Sequence, residues 1–169
     1  MVAMTSPSFF DQFKGRQHGA LAQFIKYALA GAVATVVHVF LFYFLALKVL
    51  PALNQHDVLA GLLHVQVAPV SDAIRARNSV MDNLIAFLFS NLTAYLINIT
   101  WVFESGRHHR LLEIAYFYLV SGISTIIGSL LMGFLIDRFG VMTTLAFGSN
   151  AIVSLVINYA LRKRFIFKG

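Results

Sequence analysis

The segment NYALRKRFIF, residues 158–167, closes the last long apolar run of the chain with three consecutive basic residues and two aromatic residues. An earlier segment, AYLINITWVF at residues 94–103, also places an Asn in an apolar run before an aromatic–aliphatic–aromatic triplet. When the last Phe of each segment is aligned, Asn98 falls on Arg162. The chain therefore reads as two related helical hairpins, each of which finishes on this element.

The composition places the chain in a membrane. Hydrophobic residues make up 59% of its 169 residues and charged residues 12%, whereas a soluble domain carries about 25% charged residues. The absence of Cys excludes disulfides, thiol catalysis and cysteine metal sites. The net charge of +6 comes from basic residues that flank apolar segments. This pattern indicates membrane topology rather than binding to nucleic acid.

Four apolar runs are long enough to cross a hydrocarbon core, which needs about 20 residues. The sequence predicts an all-α membrane protein whose four transmembrane helices form two parallel-repeat helical hairpins. The predicted parts are a cytoplasmic N-terminal segment at 1–22 and a transmembrane domain at 23–169, with spans near 24–49, 84–103, 114–136 and 141–161 and an outer connection at 50–83.

The long connection contains one apolar stretch, residues 59–70, that is too short to span and is predicted to be interfacial or re-entrant. Ser71 then offers a helix N-cap, and Asp72 lies where the helix dipole favours an acid. A helix could therefore run from Ser71 directly into the second span.

The repeat predicts a specific symmetry. Gly31 in the first span matches Gly122 in the third, within two stretches of small residues. Each hairpin has an even number of spans, so both halves enter the membrane from the same side. They should be related by a pseudo-twofold axis along the membrane normal, as in a parallel repeat. The small residues favour close helix packing, and we expect a homo-oligomer, a dimer.

Few ionisable residues are expected in the middle of the four predicted spans. The carboxylates Asp82, Glu104, Glu113 and Asp137 are all expected at span ends. His38 lies inside the first span, where it is either a proton or ligand site or a neutral imidazole that binds a neighbouring helix.

Four Asn residues lie in the spans. Asn91 and Asn150 are expected to form interhelical hydrogen bonds, the commonest use of such amides in lipid. For Asn98 and Asn158 a structural and a functional role stay open, because both lie near the basic edge of the membrane. An amide at that depth could bind a sugar hydroxyl or a phosphate oxygen.

Basic residues at the same edge offer a phosphate site. Lys26 begins the first span, and Arg162 and Arg164 end the fourth. One interpretation is topological, because such residues anchor spans and contact anionic lipid. The other is a phosphate site, since the guanidinium fork can donate two hydrogen bonds to one phosphate. Trp101 fits an interface anchor or a surface on which a sugar stacks.

Taken together, the first helix KYALAGAVATVVH and the endings NITWVF and NYALRKRFIF resemble the GtrA-like family of small four-span membrane proteins. The resemblance covers about residues 24–167. It implies a multi-pass protein of the cytoplasmic membrane that moves a polyprenyl-phosphate-linked monosaccharide for glycosylation of surface polysaccharide. The implied protein is not an enzyme and uses no cofactor or metal. Its implied partners are the lipid-linked sugar, membrane lipids and a glycosyltransferase.

For this function we expect Lys26 and Arg162, with Arg164 in support, to hold the lipid phosphate, because of their position at the cytoplasmic edge of the spans. Asn98, Asn158, His38 and Trp101 are expected along the path of the sugar. Two alternatives stay open. One is a scaffold that recruits a glycosyltransferase without transporting anything. The other is a small-solute or drug transporter, which the expected lack of an intramembrane acid disfavours.

Topology gives the first testable prediction. Nine basic residues near span ends are assigned to one side and four to the other, so the positive-inside rule places both termini in the cytoplasm. Reporter tags at either terminus should be protected from a membrane-impermeant reagent in intact cells. Labelling of one terminus from outside contradicts the assignment. The larger group is Lys14, Arg16, Lys26, Arg107, Arg110, Arg162, Lys163, Arg164 and Lys168, and the smaller is Lys48, Arg75, Arg77 and Arg138.

Overall fold

The computed structural model of the chain describes residues 20–102 and 110–165. The described residues form helices connected by loops, and no strand occurs among them. The elements are α1 (Ala20–Lys48), the short α2 (Val58–Leu63), α3 (Asp72–Ile97) with a π-helical turn at Asn98–Val102, α4 (Arg110–Phe139) and α5 (Thr143–Phe165).

Three of the described helical segments are long and apolar enough to cross a membrane: Ala22–Lys48, Asp72–Val102 and Ser121–Phe139. The all-helical membrane class is confirmed. The fourth predicted span corresponds to α5, which has 23 residues and is not among these three segments. At 1.5 Å per residue α5 is about 35 Å long.

A stripe of residues spaced by four faces the protein along α1. Ala22, Ala30, Ala34 and Ala46 are buried, and Lys26 is buried on the same stripe. Side chains four residues apart lie one above another on a helix, and Ala lets the neighbouring backbone approach closely. This stripe explains why α3 packs along α1.

The opposite face of α1 carries exposed apolar side chains such as Phe24, Val36 and Phe40, as expected for contact with lipid.

The α3 helix begins where its cap predicts. The Ser71 hydroxyl accepts a hydrogen bond from the Ile74 amide at 3.4 Å, and α3 runs without a break from Asp72 past residue 84, where the second span was expected to begin. The prediction for Asp82 is therefore wrong. This carboxylate does not lie at a span end but ten residues inside the helix, and it is fully buried.

A polar clasp closes the end of the bundle where α1 and α4 end and α3 and α5 begin, here called the Asp57 end. The buried Asp57 carboxylate accepts hydrogen bonds from the Leu59 amide at 3.1 Å and from the Thr144 amide at 3.0 Å. The buried Arg75 guanidinium donates to the Val141 carbonyl at 2.7 Å and to Asp72 at 2.7 Å. The connection is thus fixed to the start of α5, and the α4–α5 turn is fixed to α3.

Aromatic side chains join α1 to α5 just below the clasp. Phe42 is fully buried and stacks on Phe147 with ring centroids 4.1 Å apart. Tyr43 packs edge-on against Phe147 and donates a hydrogen bond to the Thr144 hydroxyl at 3.1 Å. Since α3 packs against both α1 and α4, and α5 against α4, these contacts bring all four long helices together at the Asp57 end.

Candidate functional site

The middle of the bundle holds a group of hydrogen-bonded polar side chains, here called the central polar cluster. It receives at least one residue from each long helix, and every member is buried or half-buried. Its members are His38 on α1, Asn83 and Ser90 on α3, Ser129 on α4 and Asn150 on α5.

Asn83 is the hub of this cluster. Its side-chain oxygen lies 2.9 Å from Nε2 of His38 and accepts a hydrogen bond from the Asn150 amide at 3.2 Å. Its own amide donates to the Ser129 hydroxyl at 2.7 Å. Asn83 is fully buried, and through these bonds a single side chain connects α3 to the other three long helices.

The bonds place a hydrogen on one nitrogen of His38. The Asn83 oxygen only accepts, so Nε2 of His38 carries a hydrogen. The other ring nitrogen, Nδ1, lies 3.0 Å from the Ser90 hydroxyl, which also donates to the Phe87 carbonyl at 3.2 Å. Both ring nitrogens therefore have a partner on α3. Hydrogen bonding to a neighbouring helix matches the structural interpretation of His38.

Gly128 makes room for the α5 member of the cluster. A Cβ atom at this position would lie 2.0 Å from the side-chain oxygen of Asn150 and 2.9 Å from the hydroxyl of Ser154. A larger residue at 128 would displace the Asn150 side chain from its observed position. The glycine thus keeps Asn150 within reach of Asn83.

The opposite end of the bundle, where α1 begins and α3 ends, is here called the Lys26 end. Lys26 is buried, and its ammonium lies 5.3 Å from the centroid of the Trp101 ring, a distance at which a cation and an aromatic face attract. Asn98 is also buried, and within the described residues its side-chain oxygen has no hydrogen-bond partner. A cation, an indole and an amide oxygen therefore occur together at this end.

The π-helical turn forms the α3 side of this site. It spans Asn98–Val102 and so contains both Asn98 and Trp101. Such turns are wider than an α-helical turn, are rare, and frequently occur at functional sites. The sequence NITWV, which belongs to the segment that aligns with NYALRKRFIF, thus also differs from the rest of α3 in its backbone conformation.

The end of α5 lies at the Lys26 end of the bundle, as a comparison of distances along α1 and α5 indicates. Twelve residues separate His38 from Lys26 on α1, and twelve separate Asn150 from Arg162 on α5. Both intervals are helical and correspond to about 18 Å. His38 and Asn150 share the partner Asn83 and therefore lie at the same depth in the bundle. Twelve residues further along their helices, toward the Lys26 end, the backbones of Lys26 and Arg162 also lie at the same depth.

The structure thus brings Lys26 and Trp101 together, with Asn98 on the same π-helical turn as Trp101, and places His38 apart from them, in the central polar cluster. Asn158, Arg162 and Arg164 lie on the last turns of α5, but their side chains are outside the described part.

Two predictions for amides are confirmed. Asn150 binds across to α3, and the side-chain oxygen of Asn91 accepts from the Ser121 hydroxyl on α4 at 3.0 Å.

Two buried residues escaped the sequence analysis. Asn83 and Asp82 fall just before the expected start of the second span, so neither was considered at depth. The Ser71 N-cap was the available signal, because a helix that begins there carries residues 82 and 83 into the membrane. Charged and amide side chains interrupt the apolar run between residues 72 and 83, which moved the expected boundary.

A comparison with known families matches residues 57–167 to the family described as GtrA/DPMS, transmembrane domain. The match covers α2 to α5 and leaves α1 outside. Comparison with curated proteins gave no match, and neither did comparison with solved structures. The long apolar helices and the many exposed apolar side chains along them define an integral membrane protein.

The family match extends over more than half of the sequence. The chain belongs to the GtrA/DPMS transmembrane domain family, which connects it with the membrane biology of polyprenyl-phosphate sugars.

The hub gives a prediction about stability. Replacing Asn83 with Leu removes three hydrogen bonds to three helices. Interhelical hydrogen bonds in membranes average about 0.6 kcal/mol each, so we expect a loss of about 2 kcal/mol. The matched control is Thr93→Val on the same helix, because among the described residues the Thr93 hydroxyl binds only the Phe89 carbonyl of its own helix. Unfolding by SDS in mixed micelles measures both, and equal stability of the two variants contradicts the role of Asn83.

Proposed function

We propose that this protein moves a polyprenyl-phosphate-linked monosaccharide across the cytoplasmic membrane, for glycosylation of cell-surface polysaccharide. The protein acts as a flippase and not as an enzyme. Membership of the GtrA/DPMS family supports the class of lipid. The observation that carries the proposal is the buried lysine at the Lys26 end, within 5.3 Å of an indole ring.

A buried cation in a membrane helix is costly and is usually functional. A polyprenyl phosphate brings an anion to the membrane surface while its prenyl tail stays in lipid. The Lys26 ammonium can attract that phosphate, and the exposed apolar face of α1 can contact the tail.

The sugar has a separate set of contacts. The Trp101 ring offers an apolar face for a pyranose, and the Asn98 oxygen can accept a hydrogen bond from a sugar hydroxyl. Both belong to one five-residue turn. We include Asn158 in this path, and His38 deeper in it, where the central polar cluster would meet a sugar in transit.

On the α5 side the phosphate site is completed by Arg162, with Arg164 in support. The shared depth of Lys26 and Arg162 supports this assignment. Guanidinium groups suit phosphate because their fork can donate two hydrogen bonds.

The same proposal includes four spans in two parallel-repeat hairpins, with both termini in the cytoplasm, so that the Lys26 end faces the cytoplasm. One contact pattern supports the repeat. His38 and Ser129 are 91 residues apart, as are Gly31 and Gly122. Both His38 and Ser129 bind Asn83, so equivalent positions of the two hairpins converge on one side chain.

The proposed assembly is a homodimer that cooperates with a glycosyltransferase. A Cβ atom added at Gly31 or Gly122 would meet nothing within 4 Å. These small-residue positions are therefore open for a second copy, as close helix packing in lipid requires.

A small-solute or drug transporter is the second candidate, and one observation favours it. An acid inside a span can serve as the proton carrier of such a transporter, and the buried Asp82 lies inside the segment Asp72–Val102. Solute-stimulated proton flux in liposomes that contain no polyprenyl lipid would support this alternative.

The phosphate site gives a prediction about binding. In Lys26→Gln the substrate loses a hydrogen bond to a charged group, which is worth about 1.5–3 kcal/mol. The affinity for a polyprenyl-phosphate sugar should fall about 10- to 150-fold. Lys26→Arg keeps the charge and should retain most of the affinity.

The control for this prediction is Lys48→Gln, which removes an exposed lysine from the other end of the same helix. Binding is measured in nanodiscs at matched protein levels. Equal losses in the Lys26→Gln and Lys48→Gln variants would reduce Lys26 to a topological charge.

A further inference from the structure

The strongest unexplained feature of the bundle is the carboxyl group of Asp82. This side chain is fully buried, and neither of its oxygens has a hydrogen-bond partner among the described residues. It lies directly before Asn83, the hub of the central polar cluster. Every member of that cluster has at least one side-chain partner, so Asp82 stands out by contrast.

The depth of Asp82 places it within the hydrocarbon region. The span Asp72–Val102 has 31 residues, or about 46 Å, which exceeds a hydrocarbon core of about 30 Å by roughly 8 Å at each end. Asp82 is ten residues from the start of the span, or about 15 Å. It therefore lies about 7 Å below the edge of the core in a centred span.

None of the other ionisable groups on the packed elements binds Asp82 in the described structure. Most of them have partners elsewhere or lie exposed at the helix ends, and the buried Tyr95 lies thirteen residues from Asp82 on the same helix. On α1, His38 binds Asn83 and Ser90, Tyr43 binds Thr144, Lys48 is exposed, and Lys26 and Tyr27 lie at the far end. On α4, Tyr118 binds Leu88, and Asp137 and Arg138 are neighbours of each other. On α3, Arg75 binds Asp72 and Arg77 binds Asn78, and Tyr95 is the third group.

A carboxylate in this position is shielded from bulk solvent and has no counter-charge within hydrogen-bond distance among the described residues. Transfer of an isolated ionised carboxylate to an apolar medium is so costly that the group takes up a proton instead. A protonated carboxyl is neutral and tolerates burial far better. In the arrangement of helices described here, Asp82 therefore holds a proton.

We propose that Asp82 binds and releases one proton in each transport cycle and so couples movement of the polyprenyl-phosphate sugar to movement of protons. The inference rests on the proposed function and names its source of energy. The carboxylate takes a proton from water on one side of the membrane. It carries the proton while buried and returns it to water on the other side, so no further reactant is needed.

His38 is the other titratable residue at this depth. Its contacts suit a role in joining helices better than a role in binding and releasing protons during transport. Its two ring nitrogens lie within hydrogen-bond distance of Ser90 and Asn83, at 3.0 and 2.9 Å. A change in its charge would disturb bonds that join helices. Asp82 can gain or lose a proton without breaking any side-chain hydrogen bond seen in the described residues.

Proteoliposomes that contain a labelled polyprenyl-phosphate monosaccharide test the coupling. For one proton per cycle, a gradient of one pH unit can shift the equilibrium distribution of the lipid between leaflets up to about tenfold. Reversing the gradient should reverse the shift, and a protonophore should abolish it. A wild-type distribution that ignores gradients of both signs, while the lipid still crosses, overturns the proposal.

Two variants test whether the shift driven by the pH gradient depends on the carboxyl group of Asp82. Asp82→Asn keeps the shape of a neutral carboxyl group and should fold, but it should show no gradient-driven shift. Asp137→Asn removes an acid whose side chain is 47% exposed and should behave like the wild type. Retention of the full shift in the Asp82→Asn variant overturns the role of Asp82.

A second measurement is independent of transport. Difference infrared spectroscopy in nanodiscs at neutral pH should detect the carbonyl stretch of a protonated carboxylic acid. This band should be lost in Asp82→Asn and kept in Asp137→Asn. A wild type without the band refutes proton binding at Asp82. A wild type with the band that moves no polyprenyl-phosphate sugar leaves the proton site intact and overturns the coupling to this lipid, together with the proposed function.

Discussion

The need to satisfy polar side chains inside a membrane organises this protein, and Asn83 meets that need for four helices at once. Lipid offers no hydrogen bonds, so a buried amide must find its partners within the protein. Asn83 binds side chains of α1, α4 and α5, and its burial follows from α3 beginning at Asp72. The small stripe on α1 and the glycine at 128 bring the helices close enough for these bonds to form.

The two ends of the bundle differ in chemistry. At the Asp57 end a buried acid and a buried arginine bind backbone and hydroxyl groups of neighbouring segments, which closes that end. At the Lys26 end a buried cation faces an indole beside an amide oxygen that has no partner in the described residues. The first arrangement holds helices together, and the second is suited to a ligand with a phosphate and a sugar. Asp82 lies between them, in the half of the membrane next to the closed end.

Much of the fold could be predicted from the sequence, because long apolar runs and a capping Ser specify helices by themselves. The Ser71 cap and the helical class were predicted correctly. The depth of Asp82 could not be predicted, since hydropathy ends a span where charges begin and does not see that neighbouring helices cover them. Lys26 and Trp101, which the sequence assigns to the same membrane edge, lie close together in the structure. The role of Asn83 depends on three partners that are 45 to 67 residues away in sequence, and no local pattern reveals them.

The central claim is that this chain itself carries a polyprenyl-phosphate sugar across the bilayer. Purified protein reconstituted into liposomes, with the labelled lipid placed in one leaflet, tests it most directly. The account predicts that the lipid becomes accessible on the opposite side far faster than in protein-free liposomes, and that Lys26→Gln slows this at a given lipid concentration. A rate equal to that of protein-free liposomes, from protein verified to be folded, contradicts the account and leaves a scaffold for a glycosyltransferase as the better description.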